Sequence, residues 1–355
     1  MKNILIIIDS LGVGGAEKVV LTLADGFKRR NNVEIISVDG IVQFDISQDI
    51  RVHTLDFHKK LFDYTFYKYK LSNLIRKIED NNAKKFDLVL VHLQKATRLS
   101  KHLKYTNSYH VVHSTFSQSA FKNRKGLSLY FKRKKLQKIY NGLNIITVSD
   151  GIKDDLLKKI RIKPKTIKTI YNPVDKETIQ KKAQEENIIK EKEYIVHVGR
   201  LAQVKRHDIL IKAYKEANIK EKLVIVGDGE EKENIVKLVE ELNLKDKVIL
   251  TGFMQNPYPI IKGAKLLVLS SEYEGLPTVL VEALMLNTCV VSSDCDSGPR
   301  EILTGEYSKY LAKVNDIKDL SNKIKEATSH LYKIEKKLYE KFELDFVVEK
   351  YMDLI

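Results

Sequence analysis

The stretch "KLLVLSSEYEGLPTVLVEALMLNTCVVSSDCDSGPREIL", Lys265 to Leu303, holds an apolar run, a turn-rich loop, an apolar helical segment and a second, β-branched run. Strand, helix and strand in that order form a βαβ unit whose strands pair in parallel. Gly275 and Pro277 break any continuous helix through both Glu274 and Glu282. Pro277 instead suits the first turn of a helix running on through Glu282. Glu274 then lies in the loop ahead of that helix, and Glu282 about one turn inside it.

Outward from this unit the same alternation continues. "YIVHVG" (Tyr194–Gly199), "KLVIVG" (Lys222–Gly227) and "KVILTG" (Lys247–Gly252) are separated by helix-like segments such as "RHDILIKAYKEA". An earlier series runs through "ILIII" (Ile4–Ile8), "VEIISV" (Val33–Val38), "DLVLVH" (Asp87–His92), "HVVHS" (His110–Ser114) and "NIITVS" (Asn144–Ser149). Between the two series lies a charged segment poor in strand signals, Tyr171–Glu193. The expected organisation is a domain over 1–172, a linker over 173–190, a second domain over 191–338, and an amphipathic helix over 339–355. At 355 residues the chain suits two such domains. Several strands end directly in Gly or Ser, where parallel sheets place their ligand loops.

Composition narrows the class. Apolar residues make up 43%, enough for globular cores, and no run is long enough to span a bilayer. Asp9 interrupts the apolar start, so a first strand explains "MKNILIIIDS" better than a signal peptide. Two cysteines fit a reducing cytoplasm rather than a disulfide framework. The formal charge of +15 implies an anionic partner. Lys122 to Ile139 carries eight Lys/Arg, no acid and six large apolar residues, a pattern that can lie on an anionic leaflet. A solvated face is the competing reading, and no zinc-finger or RNP pattern supports nucleic acid.

Chemistry concentrates at strand ends. In "LGVGGAEK", Leu11 to Lys18, Gly14 and Gly15 allow close approach at a helix amino end, without the dinucleotide G-x-G-x-x-G spacing. No persuasive acid ends the second strand as a ribose clamp, although Asp39 is nearby. Arg200 and Lys205 follow a strand end and suit a diphosphate, although a surface pair would look the same. Glu274 and Glu282 can accept hydrogen bonds from sugar hydroxyls while the N–H groups of Thr278 and Val279 hold a phosphate. Stabilisation of the helix dipole by acids is the alternative reading of the glutamates.

"GRLAQVKRHDILIKAY", "VIVGDGEE", "LTGF" and "SEYEGLPTVLVEAL" resemble the retaining glycosyltransferases of family GT4, with Glu274 and Glu282 matching their E-x7-E motif. "GVGGAEKVVLTLA", "IITVSD" and "IYNPVD" resemble the landmarks of the amino-terminal half. "SDCDSGPREIL" is similar to the subgroup that adds hexoses or N-acetylhexosamines in capsule, lipopolysaccharide and lipid-linked glycan assembly.

The resemblance implies an α/β protein of GT-B fold, two Rossmann-like domains facing across a cleft, with the last helix packed back on the first domain. It implies Arg200 and Lys205 on the donor diphosphate, Glu282 on the ribose, Glu274 beside the sugar, and Gly14 and Gly15 near donor phosphate and acceptor. It further implies His113 near the transferred sugar, with His92 competing for that place. The donor is a UDP-sugar, no metal or other cofactor is required, and the acceptor is a lipid-linked glycan. The enzyme is then expected in the cytoplasm, peripheral to the inner face of the plasma membrane through residues 122–138. A UDP-sugar 2-epimerase and a non-catalytic glycan-binding protein are the alternatives. Two departures stand out: Arg206 where the family often has Gly, expected to add charge at the cleft edge, and Asp296 where the subgroup commonly has Pro. The latter creates "DCD", Asp294 to Asp296, read as an accidental match to a metal-binding D-x-D.

Overall fold

In the computed structural model, residues 1–12, 14–44, 46–57, 63–121 and 124–355 are described. Val13 of the glycine loop and Lys122 and Asn123 of the basic stretch lie outside the described residues. The chain divides into two compact units, Met1–Pro173 with Leu344–Ile355, and Val174–Glu343.

The first unit is built on a seven-stranded parallel sheet: β1 (Asn3–Ile8), β2 (Asn32–Ser37), β3 (Arg51–Thr54), β4 (Leu88–His92), β5 (Ser108–Val112), β6 (Asn144–Thr147) and β7 (Thr166–Thr169). The spatial order is β3-β2-β1-β4-β5-β6-β7. Helices cover the sheet, so the central strands are buried and read as unbroken apolar runs; every residue of β1 is buried. The edge strands β3 and β7 are half-exposed, with polar residues in every second or third place, and did not stand out in the sequence.

The helix Gly15–Lys28 buries Val19, Val20, Leu23, Ala24 and Phe27, one stripe at helical spacing. Gly26 on that stripe seats the C-terminal helix Leu344–Met352: a Cβ there would stand 2.7 Å from Val348 and 2.8 Å from Leu344. Phe27 and Tyr351 meet edge to face, and Arg29 pairs with Asp345 at 2.7 Å.

The second unit has six parallel strands: β8 (Tyr194–Val198), β9 (Lys222–Val226), β10 (Val248–Gly252), β11 (Leu266–Leu269), β12 (Cys289–Ser293) and β13 (Leu311–Ala312), in the order β10-β9-β8-β11-β12-β13. The two-residue edge strand β13 was also absent from the sequence reading. Residues 173–190 are not a bare linker. Asp175 caps the helix Lys176–Lys182 by accepting from the Thr178 N–H, and Ile179 of that helix is buried in the second unit. Both units are Rossmann-like, and the chain has the two-domain GT-B fold.

Candidate active site

In each sheet the strand order reverses once, between β1 and β4 in the first unit and between β8 and β11 in the second. At such a switch point the loops diverge above and below the sheet and leave room for a ligand at the carboxyl ends of the strands. The residues singled out from the sequence gather at these two places.

In the second unit, the loop after β8 carries Arg200 and Lys205, and the loop after β11 carries Glu274. Although 69 positions separate them, Lys205 Nζ donates to Glu274 Oε1 at 2.6 Å. The two loops are sewn together. Ser270 Oγ donates to the Lys205 carbonyl at 2.7 Å, the Glu272 N–H to the Val204 carbonyl at 2.8 Å, and Ser271 Oγ to Glu274 Oε1 at 2.6 Å. Ser271, three residues before Glu274, fixes the carboxylate and escaped the sequence reading. The loop after β12 adds support, with Ser297 Oγ donating to the Gly275 carbonyl at 2.6 Å.

Pro277 occupies the N-cap of the helix Thr278–Met285, one position earlier than the first-turn place expected of it, with ψ of 91° in the extended range. It has no side-chain acceptor, so the amino end at Thr278 and Val279 is left uncapped by its own side chains. Glu282 lies about one turn inside and is buried. Uncapped N–H groups, a held ammonium and two carboxylates at one switch point can bind a phosphorylated, hydroxyl-rich molecule.

Arg200 is placed differently. Its guanidinium reaches Glu230 on the loop after β9, at 3.1 and 3.0 Å, in a pair exposed on both sides. Such pairs contribute roughly 0–1 kcal/mol, so this side chain is easily redirected. The path of its loop is set by Gly227, at φ +149°: a Cβ there would stand 2.0 Å from the Gly199 carbonyl oxygen. Arg206 is not the added cleft charge expected from the sequence. It adopts a left-handed φ of 51°, the conformation that explains a glycine at this position, and folds back onto Asp208 through two contacts of 2.9 Å. Beside Lys205, His197 Nδ1–H donates to the Val268 carbonyl at 2.9 Å, and its ring packs edge to face on His207. Burial holds the His197 imidazole down at about 4, so it is neutral at ordinary pH.

In the first unit the two competing histidines turn out to be partners: His92 Nδ1 and His113 Nε2 lie 2.9 Å apart, one N–H donating to the other ring. Burial holds His113 at about 4 and His92 well below its usual value. Beside them, Asp9 accepts from the backbone N–H groups of Lys95 and Ala96, while burial pushes its carboxyl up to about 6. Lys95 is bound to Asp39, which occupies the acid considered as a ribose clamp.

Gly14 is the extended N-cap and Gly15 the first residue of their helix. A Cβ on Gly14 would stand 2.3 Å from Glu17 Oε2, so a carboxylate of the same helix lies against the glycine loop. Burial raises that carboxyl above its ordinary value. The "DCD" segment shows a structural use: Arg300 grips Asp294 through two hydrogen bonds of 3.0 and 2.9 Å. An open polar groove of about 1020 Å³, lined among others by Arg76, Glu79, Lys84 and Tyr105, lies at the opposite strand ends of the first unit, away from all these residues.

Residues 13–178 match the model described as Glycosyltransferase Family 4, and residues 178–342 the model described as Glycosyl transferases group 1. Both halves of the chain are thus glycosyltransferase domains. Its relatives include the N-acetylgalactosamine-N,N'-diacetylbacillosaminyl-diphospho-undecaprenol 4-alpha-N-acetylgalactosaminyltransferase of Campylobacter jejuni, 28% identical over 89% of this chain and 87% of that one. Among solved structures, a glycosyltransferase from Rickettsia africae superposes with a TM-score of 0.74 at 16% identity, covering 99% of this chain and 98% of that one. An Anabaena protein solved in complex with UDP and glucose gives 0.71 at 17% identity, covering 99% of both chains. This protein is therefore a glycosyltransferase.

Proposed function

We propose that this glycosyltransferase moves a hexose or N-acetylhexosamine from a UDP-sugar to a hydroxyl of a lipid-linked surface glycan, with the anomeric configuration retained and no metal ion required. The observation that carries the reading is the Lys205–Glu274 pair, held by Ser271 beside an uncapped helix amino end that also presents Glu282. The Campylobacter relative, whose name specifies a sugar on diphospho-undecaprenol, supports the acceptor class, and the Anabaena complex supports UDP.

In this reading the bond between the anomeric carbon and the diphosphate oxygen breaks, and the acceptor oxygen bonds to the same face of the sugar. The acceptor proton passes to the departing phosphate oxygen, so no enzyme nucleophile is consumed. Lys205, Arg200 and the N–H groups of Thr278 and Val279 stabilise the charge that grows on the leaving diphosphate. Glu282 accepts from the ribose hydroxyls and Glu274 from the donor sugar. His113, neutral and fixed by His92, hydrogen-bonds to the transferred sugar. Gly14 and Gly15 let phosphate and acceptor approach closely. The reaction takes place at the inner face of the plasma membrane, where a lipid-linked acceptor meets cytoplasmic UDP-sugar.

Calorimetric titration with UDP tests the donor half of this proposal. Metal-free binding that weakens at least tenfold in Glu282→Ala supports it. Binding that is absent, or indifferent to Glu282, contradicts it.

A further inference from the structure

Two groups at the switch point of the first sheet take no part in the reaction proposed above: the carboxylate of Asp9 and the backbone of Leu93. β1 lies between β2 and β4, and Ile8 stands level with His92 in their register. The next residue along is therefore Asp9 on one strand and Leu93 on the other.

Leu93 turns the chain from β4 into the helix Gln94–Ser100 with φ of 71° and ψ of 171°. That region of backbone space is almost restricted to glycine, and a bulky residue stays there only when its surroundings hold it. As the N-cap of its helix, Leu93 also brings no side-chain acceptor, so the first N–H groups need one from elsewhere. Asp9 supplies it. Its Oδ1 accepts from the Ala96 N–H at 2.6 Å and its Oδ2 from the Lys95 N–H at 3.2 Å. These belong to the second and third residues of the helix, the N–H groups that a capping side chain serves.

Asp9 is itself anchored. Its carbonyl accepts from the Asp39 N–H at 2.8 Å, and the Asp39 carboxylate binds the Lys95 ammonium. Asp9, Asp39 and Lys95 thereby close the carboxyl ends of β1, β2 and β4 into a ring. Tyr140, held by a hydrogen bond from Gln94, lies against the same turn, and the His92–His113 pair stands one residue back along β4.

We infer that Asp9 is a positioning residue: its carboxylate, capping the helix from a neighbouring strand, holds Leu93 in a strained conformation and thereby sets His92, which orients His113. The consequence for the rate rests on the reading of His113 as a contact of the transferred sugar; the consequence for the two rings does not. The charge matters, because both oxygens of an ionised carboxylate accept, whereas protonation turns one of them into a donor facing an N–H group. Burial pushes this carboxyl up to about 6, against the two N–H groups and Lys95, and Asp39 adds to the rise. The hold therefore weakens as pH falls through that value. His113, at about 4, and His92, well below its usual value, stay neutral there, while Glu17 at the start of the helix after β1 is a second carboxyl that burial raises.

The test follows the imidazole nitrogen NMR signals of His92 and His113 together with UDP release from UDP-Glc, UDP-Gal, UDP-GlcNAc and UDP-GalNAc. It compares the full chain with Asp9→Ala, Asp9→Asn and Asp9→Ala/Leu93→Gly. Asp9→Ala is expected to displace the signals of the hydrogen-bonded rings and to lower kcat about tenfold or more, with KM for the donor changed less than about twofold, as when a group at the reacting sugar is misplaced. Asp9→Asn, which keeps one acceptor, retains most of the activity but loses the inflection near pH 6 that the unaltered protein shows. Leu93→Gly, whose backbone takes the turn without strain, restores much of what Asp9→Ala loses. Signals and kcat unchanged in Asp9→Ala, or a loss that Leu93→Gly does not relieve, overturns the inference. Should Asp9→Ala fail to fold, an inflection that persists in Asp9→Asn overturns it. Displaced signals with no loss of kcat leave it standing and remove His113 from the reaction.

Discussion

Lys205 Nζ and Glu274 Oε1 meet at 2.6 Å across the point where the second sheet reverses its strand order. The pair keeps an ammonium part-buried beside a helix amino end, where a diphosphate would find both. Lys205→Ala is predicted to lower kcat by about 100-fold or more, the scale on which fixed electrostatic partners of a leaving group act. A steady-state assay of UDP release measures it, alongside a thermal midpoint within a few degrees of the unaltered protein.

His92 and His113 form the corresponding pair in the first unit, at 2.9 Å. If His113 meets the sugar and His92 only orients it, His113→Ala loses more activity than His92→Ala. His92→Gln, which retains a hydrogen-bonding group, should recover part of the loss in His92→Ala. Equal activity in all three variants would remove the histidines from the account.

Gly298, in the loop after β12, packs against the turn that precedes the helix Thr278–Met285. At φ +92° it adopts a conformation side chains rarely take, and a Cβ would stand 2.5 Å from Pro277 Cδ and 3.0 Å from the Gly275 carbonyl oxygen. Gly298→Ala is predicted to destabilise the chain by about 1–3 kcal/mol, the usual cost of such strain. It should also weaken UDP binding, because the displaced residues begin the helix that presents Thr278. Chemical denaturation and titration measure the two effects.

Acid should destabilise the fold. Burial holds His113 and His197 at about 4, and His92 well below its ordinary value of 6.5. Between about 6.5 and 4 the unfolded chain therefore binds more protons than the folded one, so stability falls as pH drops through that window. Asp9 works in the opposite sense: its raised value of about 6 adds stability at low pH that is lost as pH rises through it. The raised carboxyls of Asp9 and Glu17 are outnumbered by the lowered imidazoles, which also include His110 and His207, so the urea midpoint is predicted to fall from pH 7 to pH 5. Each fully buried histidine contributes up to about 1.4 kcal/mol per pH unit. A midpoint that rises would contradict the burial of these rings.

Asp294 is predicted to serve the fold and not a metal. Its carboxylate is gripped by Arg300, so Asp294→Asn should lower the thermal midpoint slightly while activity in EDTA stays unchanged. Stimulation by added Mg²⁺ or Mn²⁺, lost in Asp294→Asn, would reverse that assignment.

What the sequence disclosed follows from where signals are strong. Strands buried on both faces announce themselves as apolar runs, which is why β1, β4, β8, β11 and β12 could be read directly. The edge strands β3, β7 and β13 alternate polar and apolar residues or are only two residues long, and so were missed. Glu274 and Glu282 were legible because a Gly-x-Pro turn and a helix fixed their spacing. The Lys205–Glu274 contact was not, since it depends on two adjacent strands far apart in the chain. Nor was the partnership of His92 with His113, which the sequence presents as rivals. Arg206 misled because its backbone conformation, invisible in the sequence, turns its side chain onto Asp208.

The measurement that tests the central claim most directly is UDP release from a panel of UDP-Glc, UDP-Gal, UDP-GlcNAc and UDP-GalNAc, in EDTA, with lipid-linked acceptors present. Release from one donor that depends on the acceptor and is lost in Lys205→Ala is the predicted result. Turnover that proceeds equally well in Lys205→Ala, or that requires a metal ion, would contradict the account.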